Sequence, residues 1–370
     1  MNNSINPTRI IRKKKNVPRT QIRLKLVKEV IDEKKSNTII KKTNLNINQK
    51  KKILHAIYFL IYNSNLVAFF NKRRNRSKIL QSEKMPICNF FLKIMRIGNI
   101  RNWKKVLKII TEDSFLFNNN IAYRVNDYIF ELIKMLNDEE RQFLKSNYVI
   151  EPIEKIKFID YYKFIKETEN TFIFNTFCWF EKVLVECLEC KEIKKYFQHF
   201  LTYDINLKKC INKTLFDDNL VLSINDCIKY ISENERIYNC FCGICEKKTV
   251  CEKKSFFRSV QTCLIILLKD IENTEIVDKI QKYNIKIQVN ENLEIKDYSK
   301  KSKSSFKFKI KGLIYYNSDS KEYITYCFNP KESKWYVHKD MSINQVELFD
   351  FIDSYDFKIF PYTLLYISEK

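Results

Sequence analysis

The chain has 370 residues, is 45% hydrophobic and 14% aromatic, and carries a formal net charge of +23. That composition can build a sizeable core and excludes a disordered chain. Three glycines leave no room for a Gly-rich phosphate loop, no His-Glu-x-x-His metallohydrolase motif is present, and the best apolar run, Ile53 to Phe70, is broken by Asn63-Ser64-Asn65 and too short for a membrane helix.

The charge is uneven. Residues 1–52 hold 16 basic and 3 acidic side chains, a net of +13. Residues 1–42 are expected to be a flexible basic arm, with one short helix around Gln21–Glu33. Arg12-Lys-Lys-Lys15 suits nuclear targeting or contact with nucleic acid. A polar start followed by basic residues is not a secretory leader, so the 12 cysteines are expected in a reducing compartment, as metal ligands or buried thiols rather than disulfides.

From 43 to about 175 the apolar period is helical. Ile53, Leu54, Ile57, Leu60 and Ile61 define one helix. Trp103, Val106, Leu107, Ile109 and Ile110 define a second, and Val125, Ile129, Leu132, Ile133 and Leu136 a third. Asn71 to Arg76 reads as a charged loop. Beyond Phe172 the pattern turns to strands and loops. Cys187-x-x-Cys190 and Cys242-x-x-Cys245 supply four thiolates for a closed tetrahedral zinc site, although Cys240 and Cys251 lie nearby. Cys263 to Leu268 is a continuous apolar run suited to a buried central strand. Tyr298–Ser305 is a polar loop. Alternation then marks strands at Phe306–Tyr316, Glu322–Tyr326, Lys334–Tyr336 and Pro361–Tyr366. Helices first and antiparallel strands later imply an α+β fold.

Tyr323, Tyr326, Trp335, Tyr336, Tyr362 and Tyr366 stand in the order of the closing motifs of the ubiquitin-specific peptidase (USP) family, which the chain resembles over residues 43–370. The resemblance implies a papain-like hand: a helical thumb (about 43–175), zinc fingers with part of the palm (176–262) and a β palm (263–370). Asn44-Leu-Asn46-Ile-Asn48 through Leu54-His55 resembles the family's first block. It sets Asn48 at the nucleophilic cysteine and Asn46 at the oxyanion-hole asparagine, unless either is simply a helix N-cap. Glu322 stands at the catalytic histidine and Lys339 at the residue that orients it. Tyr123 to Ile129 resembles the second block, with Arg124 at its aspartate, where a positive charge would oppose ubiquitin's basic tail. Phe256 to Ile271 resembles the strand before the palm, and Phe197 to Leu207 a finger strand.

These correspondences imply a catalytically inactive USP-like protein that binds a partner through Arg124, Asp127, Tyr323 and Trp335. The partner would be ubiquitin, weakly, or another protein. The spliceosome-associated USP-like branch also lacks the triad and ends in a similar Lys334-Trp335-Tyr336 to Asp340, so ribonucleoprotein contact through basic residues 9–52 is a further expectation, in the nucleus and/or cytoplasm, with no membrane. The alternative is an active deubiquitinase. It would need another nucleophile, yet no cysteine lies between Met1 and Ile87. His338 with a cysteine such as Cys327 is the one relocated catalytic pair the sequence offers, and His55 and His199 are expected to pack on the first helix and a finger strand.

Overall fold

A computed structural model describes residues 45–63, 65–82, 84–97, 102–117, 124–143, 157–216, 221–233, 235–296, 305–339, 342–348, 352 and 358–369. The basic arm and the Tyr298–Ser305 loop, apart from Ser305, lie outside them.

The first half of the described chain is helical, as the period predicts. It runs through α1 (Ile47–Asn63), α2 (Leu66–Asn71), α3 (Arg73–Leu80), α4 (Pro86–Arg96), α5 (Trp103–Glu112), α6 (Val125–Phe143), α7 (Phe158–Thr168) and α8 (Phe172–Phe177). Helix α1 starts with a capping box. The Asn46 side chain accepts from Gln49 N–H at 2.9 Å, and Gln49 Oε1 accepts from Asn46 N–H at 2.9 Å. Ile53, Leu54, Ile57, Leu60 and Ile61 are all buried on its core face. Asn71 to Arg76, expected as a loop, instead turns at Lys72 and enters α3. Arginine is a good helix former, and buried Ile79 gives this short helix an anchor.

Two neighbouring carboxylates on α6 each cap a different helix. Glu139 accepts from the N–H groups of Ile87 and Cys88, at 2.7 and 2.8 Å, at the start of α4. Glu140 accepts from Phe172 N–H at 2.8 Å, at the start of α8. These are otherwise orphan helix donors. Burial, the largest influence, nonetheless raises both carboxyls above the ordinary glutamate range.

The second half continues β1 (Trp179–Cys187), β2 (Ile193–Phe200), β3 (Tyr203–Asn206), α9 (Leu207–Phe216), β4 (Val221–Ser223), α10 (Ile224–Ser232), β5 (Glu235–Cys242), β6 (Lys247–Val260), β7 (Cys263–Lys269), α11 (Thr274–Lys282), β8 (Lys286–Gln288), β9 (Asn292–Lys296), β10 (Ser305–Asn317), β11 (Tyr323–Asn329), β12 (Lys334–Lys339), β13 (Ser342–Val346) and β14 (Ile359–Ser368). A four-stranded antiparallel sheet runs β2-β1-β6-β5. A larger sheet runs β13-β12-β11-β10-β14-β7-β3, with β9 also paired to β10, and the short β4 and β8 pair with each other.

Strand β7 is buried from Cys263 to Leu268, between antiparallel β14 and parallel β3. Its continuous apolar run reflects a strand covered on both faces. Pro361 lies within β14, where a central strand normally excludes proline. It pairs with Tyr315 where the β10–β14 register shifts, so no regular ladder bond is lost there.

Phe197 to Leu207 is not one strand. It breaks at Leu201-Thr202, where the chain crosses from the smaller sheet to the larger and the Trp179 indole N–H donates to the Thr202 carbonyl at 2.8 Å. Helices α9, α10 and α11 also interrupt the stretch expected as strands and loops. Each buries a short helical stripe: Leu207, Cys210 and Ile211; Ile224, Cys227 and Ile228; Ile276 and Ile280.

Candidate functional site

The fold brings Asn48, Glu322 and Lys339 to the rim of one cleft of about 320 Å³. Asn48 is exposed in the first turn of α1. Glu322 is half-buried just before β11, and Lys339 is exposed at the end of β12. Residues 48, 322 and 339 are thus neighbours in space although about 270 positions separate the first two. Among the described residues lining this cleft there is no cysteine.

Asn46 does not line it. Its side chain is used in the capping box of α1, so the N-cap reading holds for Asn46.

Beneath the rim the side chains are packed rather than reactive. His55 Nδ1 lies 2.8 Å from Thr325 Oγ1. His338 faces Thr325 across the β11–β12 ladder, and its ring lies 4.2 Å from that of Tyr58. The Cys327 thiol is buried and donates to the Tyr58 carbonyl at 3.7 Å. In this arrangement Cys327 and His338 serve the contact between α1 and the sheet, which leaves the relocated catalytic pair no exposed nucleophile.

The four residues expected to meet a partner have other engagements. Tyr323 is buried, and its hydroxyl donates to Glu272 at 2.5 Å. Arg124 is half-exposed and paired with the same carboxylate at 3.2 Å. Its charge is therefore balanced, which weakens the expected repulsion of a basic tail. Asp127 accepts the Arg124 backbone N–H at 2.9 Å and so caps α6. Trp335 is 8% exposed and packs edge-on against Phe328 at 5.7 Å, so its ring belongs to the core rather than to a binding surface. Glu272, which joins Arg124 to Tyr323, has no sequence signal: nothing in the spacing of residues 124, 272 and 323 announces the contact.

A second constellation forms at the end of the four-stranded sheet. The Sγ atoms of Cys187, Cys190, Cys242 and Cys245 all lie within 4.8 Å of one another. Cys187 and Cys245 are 3.9 Å apart, and Cys190 and Cys242 are 3.5 Å apart. Sulfurs about 2.3 Å from a tetrahedral zinc would be separated by roughly 3.8 Å, so the set fits such an ion. Each pair sits on a tight turn whose next residue, Lys191 or Glu246, has positive φ, 61° and 52°.

Cys242 Sγ also accepts the Cys245 N–H at 3.5 Å. Without metal, the Thr249 hydroxyl and then the Cys190 N–H hold the Cys187 thiol down to about 6, while Cys245 is pushed up to about 12, chiefly by the Cys190 side chain. Cys240 and Cys251, which left the ligand set open in sequence, stay outside the cluster. Cys251 pairs across β1–β6 with Cys187, and Cys240 lies on β5 opposite Thr249.

A larger cavity, about 630 Å³, opens between α6 and the base of the four-stranded sheet. Of the residues singled out in sequence it contains His199 and part of the Phe197–Leu207 segment. Two of its carboxylates are engaged deep in the wall, Glu169 by Arg141 at 2.6 Å and Glu181 by Gln198. His199 at its wall bonds the Tyr161 hydroxyl at 2.9 Å, and burial lowers its pKa.

No protein-family profile matches the sequence, and no curated protein matches it. Similarity appears in three dimensions. A yeast SAGA DUB module carrying a mutant Sgf73 superposes with a TM-score of 0.63 at 13% identity, over 88% of this chain and 68% of that one. The SAGA Ubp8/Sgf11/Sus1/Sgf73 DUB module bound to ubiquitin aldehyde gives 0.59 at 15% identity, over 86% and 67%. The same module bound to monoubiquitin gives 0.57 at 15%, over 86% and 67%. The fold is that of a USP.

Proposed function

We propose that this is a catalytically inactive USP-like protein that works by binding another protein. The reading rests on one observation: Asn48, Glu322 and Lys339 line one cleft, at the positions the sequence resemblance assigns to nucleophile, base and orienting residue. An asparagine amide cannot attack a carbonyl as a thiolate does, and a glutamate–lysine pair does not replace the histidine that activates one. Thiol chemistry requires those members as a unit.

On this reading residues 43–175 form the thumb, 176–262 the fingers with part of the palm, and 263–370 the rest of the palm. Cys187, Cys190, Cys242 and Cys245 hold a structural zinc that closes the tip of the fingers. Ubiquitin binds weakly, because Lys321 and Glu322 add two long side chains at the mouth of the cleft. Its dissociation constant is expected to be weaker than about 100 µM. A different protein takes its place. The basic residues 9–52 provide the second contact, with a ribonucleoprotein, in the nucleus and/or cytoplasm.

The test is hydrolysis. Purified full-length protein should neither cleave a ubiquitin fluorogenic substrate nor label with a ubiquitin-vinyl probe. Labelling that vanishes on replacing one cysteine would establish an active deubiquitinase instead.

A further inference from the structure

We infer that the cleft between α1 and the β11–β12–β13 edge of the large sheet is a docking groove for an acidic, extended segment of a partner protein. The inference rests on the inactive reading above and names what would occupy the vacated centre.

Its walls are strongly cationic. Lys51 and Lys52 come from α1, Lys321 from the turn before β11, and Lys339 from the end of β12, while Glu322 is the one carboxylate among its described lining residues. Four lysines from three separate elements against one glutamate give a net charge of +3. Among the described residues no acidic group pairs with Lys51, Lys321 or Lys339, whereas Arg124 just outside is neutralised by Glu272. A cavity with this excess of positive charge selects an anionic occupant and speeds its encounter.

The backbone adds a second observation. Lys321 lies at φ 56°, a left-handed conformation that glycine adopts freely and lysine does not. Six other described residues share this conformation, and here it shapes the turn that brings the Lys321 side chain to the cleft lining.

The remaining lining favours peptide over nucleic acid. Asn48, Ser320 and Glu322 present hydrogen-bond acceptors that can take peptide N–H groups, and phosphodiester linkages have no such donors. Half-buried Glu322 would also repel a phosphate chain more strongly than a peptide that carries carboxylates at intervals. A volume near 320 Å³ is at the small end for ligand sites and suits one chain segment rather than a folded domain.

The experiment is fluorescence anisotropy of the full-length protein with a fluorescein-labelled peptide of alternating aspartate and serine. The comparison is with a Lys51→Glu/Lys339→Glu variant, and with Lys331→Glu at the opposite end of the β11–β12 hairpin. All three keep the basic arm, so any contribution from it cancels. The proposal expects the cleft variant to bind at least tenfold more weakly, the Lys331 variant to bind as the parent does, and the parent's affinity to fall as salt rises. Unchanged melting of the variants excludes a folding effect.

Equal loss in both variants, or no loss in either, would overturn it by placing the affinity elsewhere. Tighter, Lys51/Lys339-dependent binding of a single-stranded oligonucleotide of the same charge would overturn the peptide assignment. Probe labelling in the hydrolysis test would instead defeat the inactive reading itself, whatever the anisotropy gives.

Discussion

Glu272 is the perturbation that most directly tests the architecture beside the cleft. Its carboxylate accepts the Tyr323 hydroxyl at 2.5 Å and the Arg124 guanidinium at 3.2 Å, and the rings of Tyr316 and Tyr362 pack against that of Tyr323. A buried hydrogen bond to a charged group contributes about 1.5–3 kcal/mol. The Arg124 side chain is 47% exposed, so solvent screening limits that ion pair to about 0–1 kcal/mol. Glu272→Ala should therefore cost about 1.5–4 kcal/mol. Most of that should be shared with Tyr323 rather than with Arg124. A double-mutant cycle with Tyr323→Phe isolates the shared part, measured by urea unfolding with the slope checked for constancy. A coupling of about 1.5–2.5 kcal/mol is expected for Glu272 with Tyr323, and under about 1 kcal/mol for Glu272 with Arg124→Met. A Glu272–Tyr323 coupling below about 0.5 kcal/mol, the scatter of independent sites, would refute the reasoning.

Three further outcomes follow from the same structure. About one zinc should copurify per chain, and Cys242→Ser should abolish it and lower the melting temperature, because structural metal binding is folding free energy; metal-free protein with unchanged melting would indicate plain buried thiols. Lys321→Gly should stabilise the fold by up to about 1.5 kcal/mol, since relief of the left-handed strain, about 1–2 kcal/mol, exceeds glycine's extra entropy cost of about 0.5–1 kcal/mol; a loss of stability would mean the lysine makes a compensating contact. Burial raises the Glu140 carboxyl above its ordinary 4.5, so its proton is held more tightly in the folded state. Stability from that source is complete below pH 4.5 and is lost as pH rises through the raised value. The parent-minus-Glu140→Gln difference should therefore decline across that window, and a flat difference would contradict it.

Much of this was legible in sequence, for identifiable reasons. The terminal strands showed through alternation where one face is buried, as at the start of β10, and through an apolar run where both are, as in β14 from Phe360 to Tyr366. The cysteine pairs showed because a knuckle needs its two thiols three residues apart. That the two knuckles meet depends on β1, β6 and β5 being neighbours, which spacing alone does not state. Strand β13 escaped notice because, as an edge strand with mixed exposure, Ser342 to Val346 carries no apolar alternation strong enough to see. Helices α9 to α11 were masked by their shortness, two or three buried residues each. The cleft could be anticipated only through the motif order, whereas the Glu272 contacts and the His55–Thr325 bond join distant positions by tertiary packing and leave no local trace.

The closeness of His55 to Thr325, and of Tyr58 to Cys327, has a consequence for how the chain reaches this state. The sequence separations are 270 and 269 residues. Helix α1 is synthesised with a wide apolar face, but part of its cover, β11, follows only about 270 residues later. At roughly 5–20 residues per second the interval is on the order of tens of seconds. During it, the buried stripe of Ile53, Ile57 and Leu60 has only its helical neighbours to shield it, and closing so long a loop makes final docking slow. The nascent chain is thus a client for holding chaperones until β11 arrives, and truncation before β11 should yield aggregation rather than a smaller folded domain.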